Sequence, residues 1–130
     1  MNTQQYFPLV GASGTAQSDA AGYDGRWFVA DENNQWLTAA ACPALAGINV
    51  ELRLGYLVLR APGMLRLDVP LEVIEDDDSV RFTVLVGATT VDVIDEGELA
   101  AAWFSNVAGQ PCGLMKVHPD SAPPNWLAAD

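Results

Sequence analysis

The stretch DGRWFVADENNQWLTAAACP, residues 24–43, reads as strand, turn, strand. Aromatic and β-branched residues stand at Trp27, Phe28 and Val29 within residues 26–31 and resume at Trp36. Between them stand Asn33 and Asn34, and asparagine tolerates the left-handed backbone that a tight hairpin demands. Pro43 then stops or redirects the chain.

Working outward, a short first strand is expected over residues 6–10. An extended surface loop follows over 11–25, where Gly, Ser and Ala show no periodicity. Beyond Pro43, apolar and polar positions alternate about Gly55, predicting a second hairpin with Leu52, Leu54, Leu57 and Leu59 on its inward face. Residues 64–73 extend the pattern. An acidic turn at residues 75–78 leads into Val80, Phe82, Val84 and Val86, and a short strand follows over 91–93. The Asp run lacks the alternating ligands and glycine of a calcium loop, so it reads as a solvated turn.

One segment changes period. In DEGELAAAWFSNVAG, Leu99, Ala102, Trp103 and Asn106 recur at helical spacing. Acidic residues gather where the helix dipole favours them, and Gly109 stands at the expected C-cap. The spacing predicts one α-helix near residues 96–108. A last strand, CGLMKV, precedes a proline-rich, irregular tail over about 118–130. Many short strands leave exposed edges unless they close on themselves. The fold expected is therefore mainly β, a barrel of short antiparallel strands with one helix, in a single domain over residues 1–130.

The composition bounds function. The 130 residues are 50% hydrophobic, enough for one core, and six basic against 17 acidic residues give a net charge of −11. Nucleic acid and anionic lipid both need clustered Lys or Arg, so neither is expected as a partner. No segment has the length of a membrane span, and residues 1–11 do not resemble a signal peptide. A cytoplasmic, monomeric protein is the expectation.

Chemistry-bearing patterns are sparse. There is no Gly-rich phosphate loop ending in Lys, no paired His on a helix and no CxxC. Cys42 and Cys112 read as reduced, partly buried thiols rather than a disulfide. The single His, His118, is expected in solvent beside Pro119. Asp92 and Asp95 form a carboxylate pair, but in so acidic a chain a pair carries little weight. Of Trp27, Trp36 and Trp103, at least two are expected to be core packing rather than ligand contacts. Catalysis by this chain alone is not indicated.

The order of three pieces, GRWFVADENNQWLTAAACPALAGI, LRAPGM with LDVPL, and DEGELAAAWFSNVAGQPCGLMKV, resembles the N-terminal β-barrel domain of MOSC proteins across about residues 6–117. The resemblance implies a domain that precedes a MOSC domain and helps it hold a molybdenum cofactor, whose metal is bound by a Cys of that second domain. No such domain lies within these 130 residues, and neither Cys42 nor Cys112 matches its ligand.

The barrel half of the implied site also departs from pattern. The family's Tyr-Pro-Val-Lys-Ser corresponds to Phe7, Pro8, Leu9, Val10 and Gly11, so Lys and Ser become Val10 and Gly11. In Gly-Asp-Arg-x-Trp, Asp24 and Trp27 keep their places while Gly25 replaces the anion-binding Arg. Arg26 falls one residue later, on the opposite face of a strand. In Thr-x-Arg-x-x-Pro, Thr38 and Pro43 remain and Ala40 replaces Arg. Desolvating a phosphate-bearing pterin without such donors is unfavourable.

No cofactor is therefore expected, and Arg26 and Thr38 are the surviving polar candidates. The leading expectation is a stand-alone, non-catalytic binding or accessory module. The alternative is one subunit of a split molybdenum-cofactor-dependent oxidoreductase or sulfur-transfer system, with a separate MOSC domain as partner. A functionally marginal remnant is a third reading.

Overall fold

The computed structural model describes residues 5–71, 81–118, 121, 124 and 126. Among these, seven strands and one α-helix follow in the order β1 (Trp27–Asp31), β2 (Asn49–Arg53), β3 (Tyr56–Arg60), β4 (Leu67–Pro70), β5 (Arg81–Val86), β6 (Thr89–Asp95), α1 (Glu98–Ala108) and β7 (Cys112–Val117). Short 3-10 turns occupy Ser18–Tyr23 and Pro43–Gly47. Every strand pairing is antiparallel, in sheets ordered β1-β7-β6-β5 and β2-β3-β4.

The hairpin expected at residues 24–43 has one full arm. Asn34 takes φ 57 in its turn, as the sequence predicts. The second arm is only a few residues long and bonds on both sides. Asp31 N–H donates to the Gln35 carbonyl at 2.8 Å and Leu37 N–H to Val29 at 2.8 Å, tying the arm to β1. Trp36 N–H donates to Leu85 at 2.8 Å and Leu85 N–H to Asn34 at 2.9 Å, tying it to β5. This arm draws the two edges of the curled four-stranded sheet together, giving the closed barrel that the short strands called for.

Side-chain alternation then divides the apolar residues between two cores. Phe28, Ala30, Val84, Val86, Val91, Val93, Met115 and Val117 fill the barrel lumen. Trp27, Val29 and Leu114 point outward and are covered by the three-stranded sheet and α1.

Several expectations are corrected. Residues 6–10 form no strand; isolated bridges join Tyr6 to Thr15 and Leu9 to Trp27 instead. Leu54 is 88% exposed rather than inward, because it sits in the β2–β3 turn at φ 53, where alternation stops. The buried stripe of α1 is Ala100, Trp103 and Phe104 with Val107 partly buried; Leu99 is 78% exposed. The helix starts at Glu98, two residues later than expected, since Gly97 at φ 105 cannot be helical and the Asp95 carboxylate accepts its N–H at 2.8 Å. Gly109, at φ 72, caps the other end as predicted.

The loop over 11–25 is not simply a surface loop, since Ala12, Thr15 and Ala20 are buried. The Gln17 amide pairs with the outer edge of β2, donating to the Leu52 carbonyl at 2.9 Å and accepting from its N–H at 2.8 Å. A side chain thus does for that edge what a neighbouring strand would. The acidic turn at 75–78 and Val80 lie outside the described residues, as does the side chain of Phe82.

Candidate functional site

Three of the segments singled out by sequence, around residues 7–11, 24–27 and 38–40, meet in the structure. Asp24 accepts the Phe7 N–H at 2.7 Å, Gly25 N–H donates to the Phe7 carbonyl at 2.9 Å, and Trp27 N–H donates to Pro8 at 2.9 Å. Residues 7–10 are thereby laid alongside 24–27, and Val10 N–H completes the pairing on the Trp27 carbonyl at 2.9 Å. A Cβ on Gly11 would stand 3.7 Å from Ala39, so the turn after Thr38 lies against Gly11. Gly25 lies in a turn at φ 74, before β1 begins. Strand alternation therefore does not reach it, and the face of Arg26 has to be read from its contacts.

Those contacts use the polar candidates within the fold. Arg26 Nη1 donates to the Ser121 carbonyl at 2.7 Å. The Thr38 hydroxyl accepts the Ala41 N–H at 3.1 Å and its carbonyl accepts the Cys42 N–H at 2.9 Å, capping the turn that leads to Pro43. Val10, Trp36 and Trp126 each pack against the luminal core.

Trp126 is the residue that sequence reasoning missed. Its ring lies 5.1 Å from Phe28 and 5.0 Å from Trp36, and its Nε1 donates to the Gly25 carbonyl at 3.1 Å. A tryptophan in a proline-rich tail was the available signal.

Outside the lumen, Trp27 organises a second polar group. Its Nε1 donates to Glu96 Oε2 at 2.9 Å, Tyr23 stacks on it at 5.8 Å, and Lys116 Nζ stands 5.0 Å over its ring while donating to the Leu71 carbonyl at 2.6 Å. Burial pushes the Glu96 carboxyl above its ordinary 4.5. The Trp27 hydrogen bond and the Lys116 charge oppose the shift, and Asp95 adds to it.

A carboxyl raised in the folded state binds its proton more tightly there than in the unfolded chain. Its contribution to stability is whole below the unfolded value and is lost as pH rises through the folded one. Glu96→Gln keeps an acceptor for Trp27 without the charge. The variant is expected to match or exceed the wild type at pH 7 and to flatten the stability profile upward from pH 4.5, measured by urea melts across that window. A loss above ~1 kcal/mol at pH 7 would show that attraction to Lys116 outweighs burial.

The other titratable candidates serve the structure. Cys42 and Cys112 are free and buried, and burial pushes the Cys112 thiol up, against the Ser105 hydrogen bond, which disfavours the reactive thiolate. His118 is buried rather than solvated; its N–H bonds the Asp92 carbonyl and so extends the β6–β7 pairing. Asp92 lies within β6, while the Asp95 side chain is engaged at the start of α1. Trp27 and Trp103 are core residues, in line with the sequence reading, and Trp36 is half-buried. Among the described residues no cluster of three or more His, Cys, Asp or Glu is placed to hold a metal, and no helix is long and apolar enough to cross a membrane.

A small closed barrel, one flanking sheet and a helix inserted before the last strand define the class of domain. Residues 7–111 match the model of the MOSC N-terminal beta barrel domain, and the chain belongs to that family. It is 34% identical over 101 residues to a molybdenum cofactor sulfurase of Homo sapiens and 33% identical over 101 residues to one of Danio rerio. These matches take in 76% and 75% of this chain but only 11% and 12% of the relatives' own lengths. A Bordetella bronchiseptica protein solved in solution is 60% identical over the whole of both chains, with a TM-score of 0.84.

Proposed function

We propose that this chain is a non-catalytic binding or accessory module built on the MOSC N-terminal barrel. The observation that carries the reading is the chemistry at the barrel end. Where the family resemblance calls for Lys, Ser and two Arg, the chain has Val10, Gly11, Gly25 and Ala40. Val10 packs against the luminal apolar cluster, and Arg26 Nη1 donates to the Ser121 carbonyl. These residues do not fit a phosphate-bearing molybdenum cofactor, whose charge needs paired donors once desolvated. No reaction step is derived through it.

A cytoplasmic monomer with a protein partner, or an uncharged small ligand, suits the strongly acidic composition, and nucleic acid and membrane surfaces do not.

The second reading, half of a split molybdenum-dependent system completed by a separate MOSC domain, is favoured by the names of the relatives. An amide NMR titration of the whole chain with molybdenum cofactor, then with a recombinant MOSC domain, separates the two. Unchanged Gly25, Arg26 and Thr38 resonances in the presence of cofactor are expected. Shifts clustered at those three would replace the binding-module reading with the split enzyme.

A further inference from the structure

We infer that Cys42 and Cys112 form an oxidation site: a dithiol that a peroxide converts to an intrachain disulfide, fixing the turn at residues 38–42 to the junction of α1 and β7. The inference goes beyond the binding-module reading and does not depend on what that module binds.

Cys42, before the helix in sequence, and Cys112, after it, both reach the last turn of α1. Cys42 Sγ stands 3.7 Å from the Ala108 carbonyl oxygen. Cys112 is clamped back onto the same turn, its N–H donating to the Ser105 hydroxyl at 3.1 Å and that hydroxyl donating to the Cys112 carbonyl at 3.1 Å. Alternation along β7 puts Cys112 on the face of Leu114, in the apolar cluster that also holds Cys42. Both thiols are free, and they are near enough for the charge of Cys42 to act on Cys112.

Each cysteine lies directly beneath surface chain. Ala41 and Pro43 on either side of Cys42 are exposed, as are Gln110 and Pro111 before Cys112. The Cys42 turn is held by local bonds, Ala41 N–H to the Thr38 hydroxyl at 3.1 Å and Cys42 N–H to the Thr38 carbonyl at 2.9 Å, so it can move as a unit.

The chemistry gives an order of events. Burial holds the Cys112 thiol in its protonated form, so Cys42 attacks first. Its thiolate takes one peroxide oxygen as the O–O bond breaks, leaving hydroxide and a Cys42 sulfenic acid. The Cys112 sulfur then displaces that hydroxyl: the S–S bond forms, the S–O bond breaks, and the Cys112 proton leaves in the water released. The two sulfurs give up two electrons, and the peroxide accepts both.

The test treats the full chain with hydrogen peroxide, alkylates it under denaturing conditions and maps the tryptic peptides. Cys42 and Cys112 fall in separate peptides, 27–53 and 82–116. A monomer in which these two are joined, and are released by dithiothreitol, is expected. Amide exchange at Ala41 and Cys42 should slow in the oxidised chain. Cys112→Ser should stop at the sulfenic acid and give about tenfold more dimedone adduct on Cys42 than the wild type, while Cys42→Ser leaves Cys112 open to alkylation.

Cysteines that stay alkylatable, sulfinic acids without a joined peptide, a link found only between chains, or unchanged exchange at Ala41 and Cys42 overturns the inference. The wild-type map decides the matter even if neither serine variant folds. None of these outcomes bears on the cofactor titration, which tests the binding-module reading alone.

Discussion

Trp27→Ala is expected to cost at least about 4 kcal/mol and to lower the melting temperature by roughly 15 °C. Trp27 is fully buried where the outer face of the barrel meets the second sheet and α1, so its removal opens a large cavity between them. The polar losses add to that. Glu96 loses the indole N–H that holds its carboxylate at 2.9 Å, Lys116 loses the ring beneath its ammonium, and Tyr23 loses its stacking partner.

The sign of the pH effect separates this account from simple cavity formation. The Trp27 hydrogen bond lowers the Glu96 carboxyl against burial. Without it the carboxyl rises further, and the variant should lose more stability than the wild type as pH climbs from 4.5 towards neutral. Adding Glu96→Gln should then recover ~1 kcal/mol at pH 7, as expected when a stranded buried charge is replaced by an amide. A double variant no more stable than Trp27→Ala would show that Glu96 is hydrated in the cavity and that the coupling is absent. Urea melts of the four proteins of this cycle at pH 5 and pH 7 supply the measurement.

What was legible in the sequence, and what was not, follows from separation along the chain. Asn34 in its turn, Gly109 at its cap and the span of β7 depend on neighbouring residues, and each was read correctly. The face of α1 was misread by one position because LAAAWF is apolar nearly all round; only the sheets it packs on select Ala100, Trp103, Phe104 and Val107 over Leu99 and Ala102.

Barrel closure depends on Gln35 and Trp36 meeting Leu85, and the Trp27–Glu96 bond spans 69 residues, so neither leaves a local periodicity to find. The seat of Trp126 is the extreme case. Its hydrogen bond reaches back 101 residues to Gly25, and the prolines around it argue for an irregular tail with no hint of where its one large ring would lodge. Residues 7–10, by contrast, lie alongside 24–27 through backbone hydrogen bonds that no local periodicity signals either.

Phe28→Ala should cost ~3–5 kcal/mol, the usual range for emptying a fully buried aromatic site, and should also release Trp126. Phe28 is fully buried in the lumen and forms one wall of the Trp126 seat, 5.1 Å from the indole. The lumen residues around it, Val84, Val86, Val93 and Val117, are β-branched and stiff on a closed sheet, so they relax little into the space. Phe104→Ala is the matched control. Phe104 is equally buried, but in the other core, against Trp103 and away from the barrel end. The two variants should lose similar stability, yet only Phe28→Ala should speed solvent exchange of the Trp126 Nε1–H and alter the near-ultraviolet signal of the Trp36–Trp126 pair. Both signals unchanged in Phe28→Ala would mean that Trp36 and the Gly25 carbonyl alone hold the indole, and that the lumen and its occupant are energetically separate.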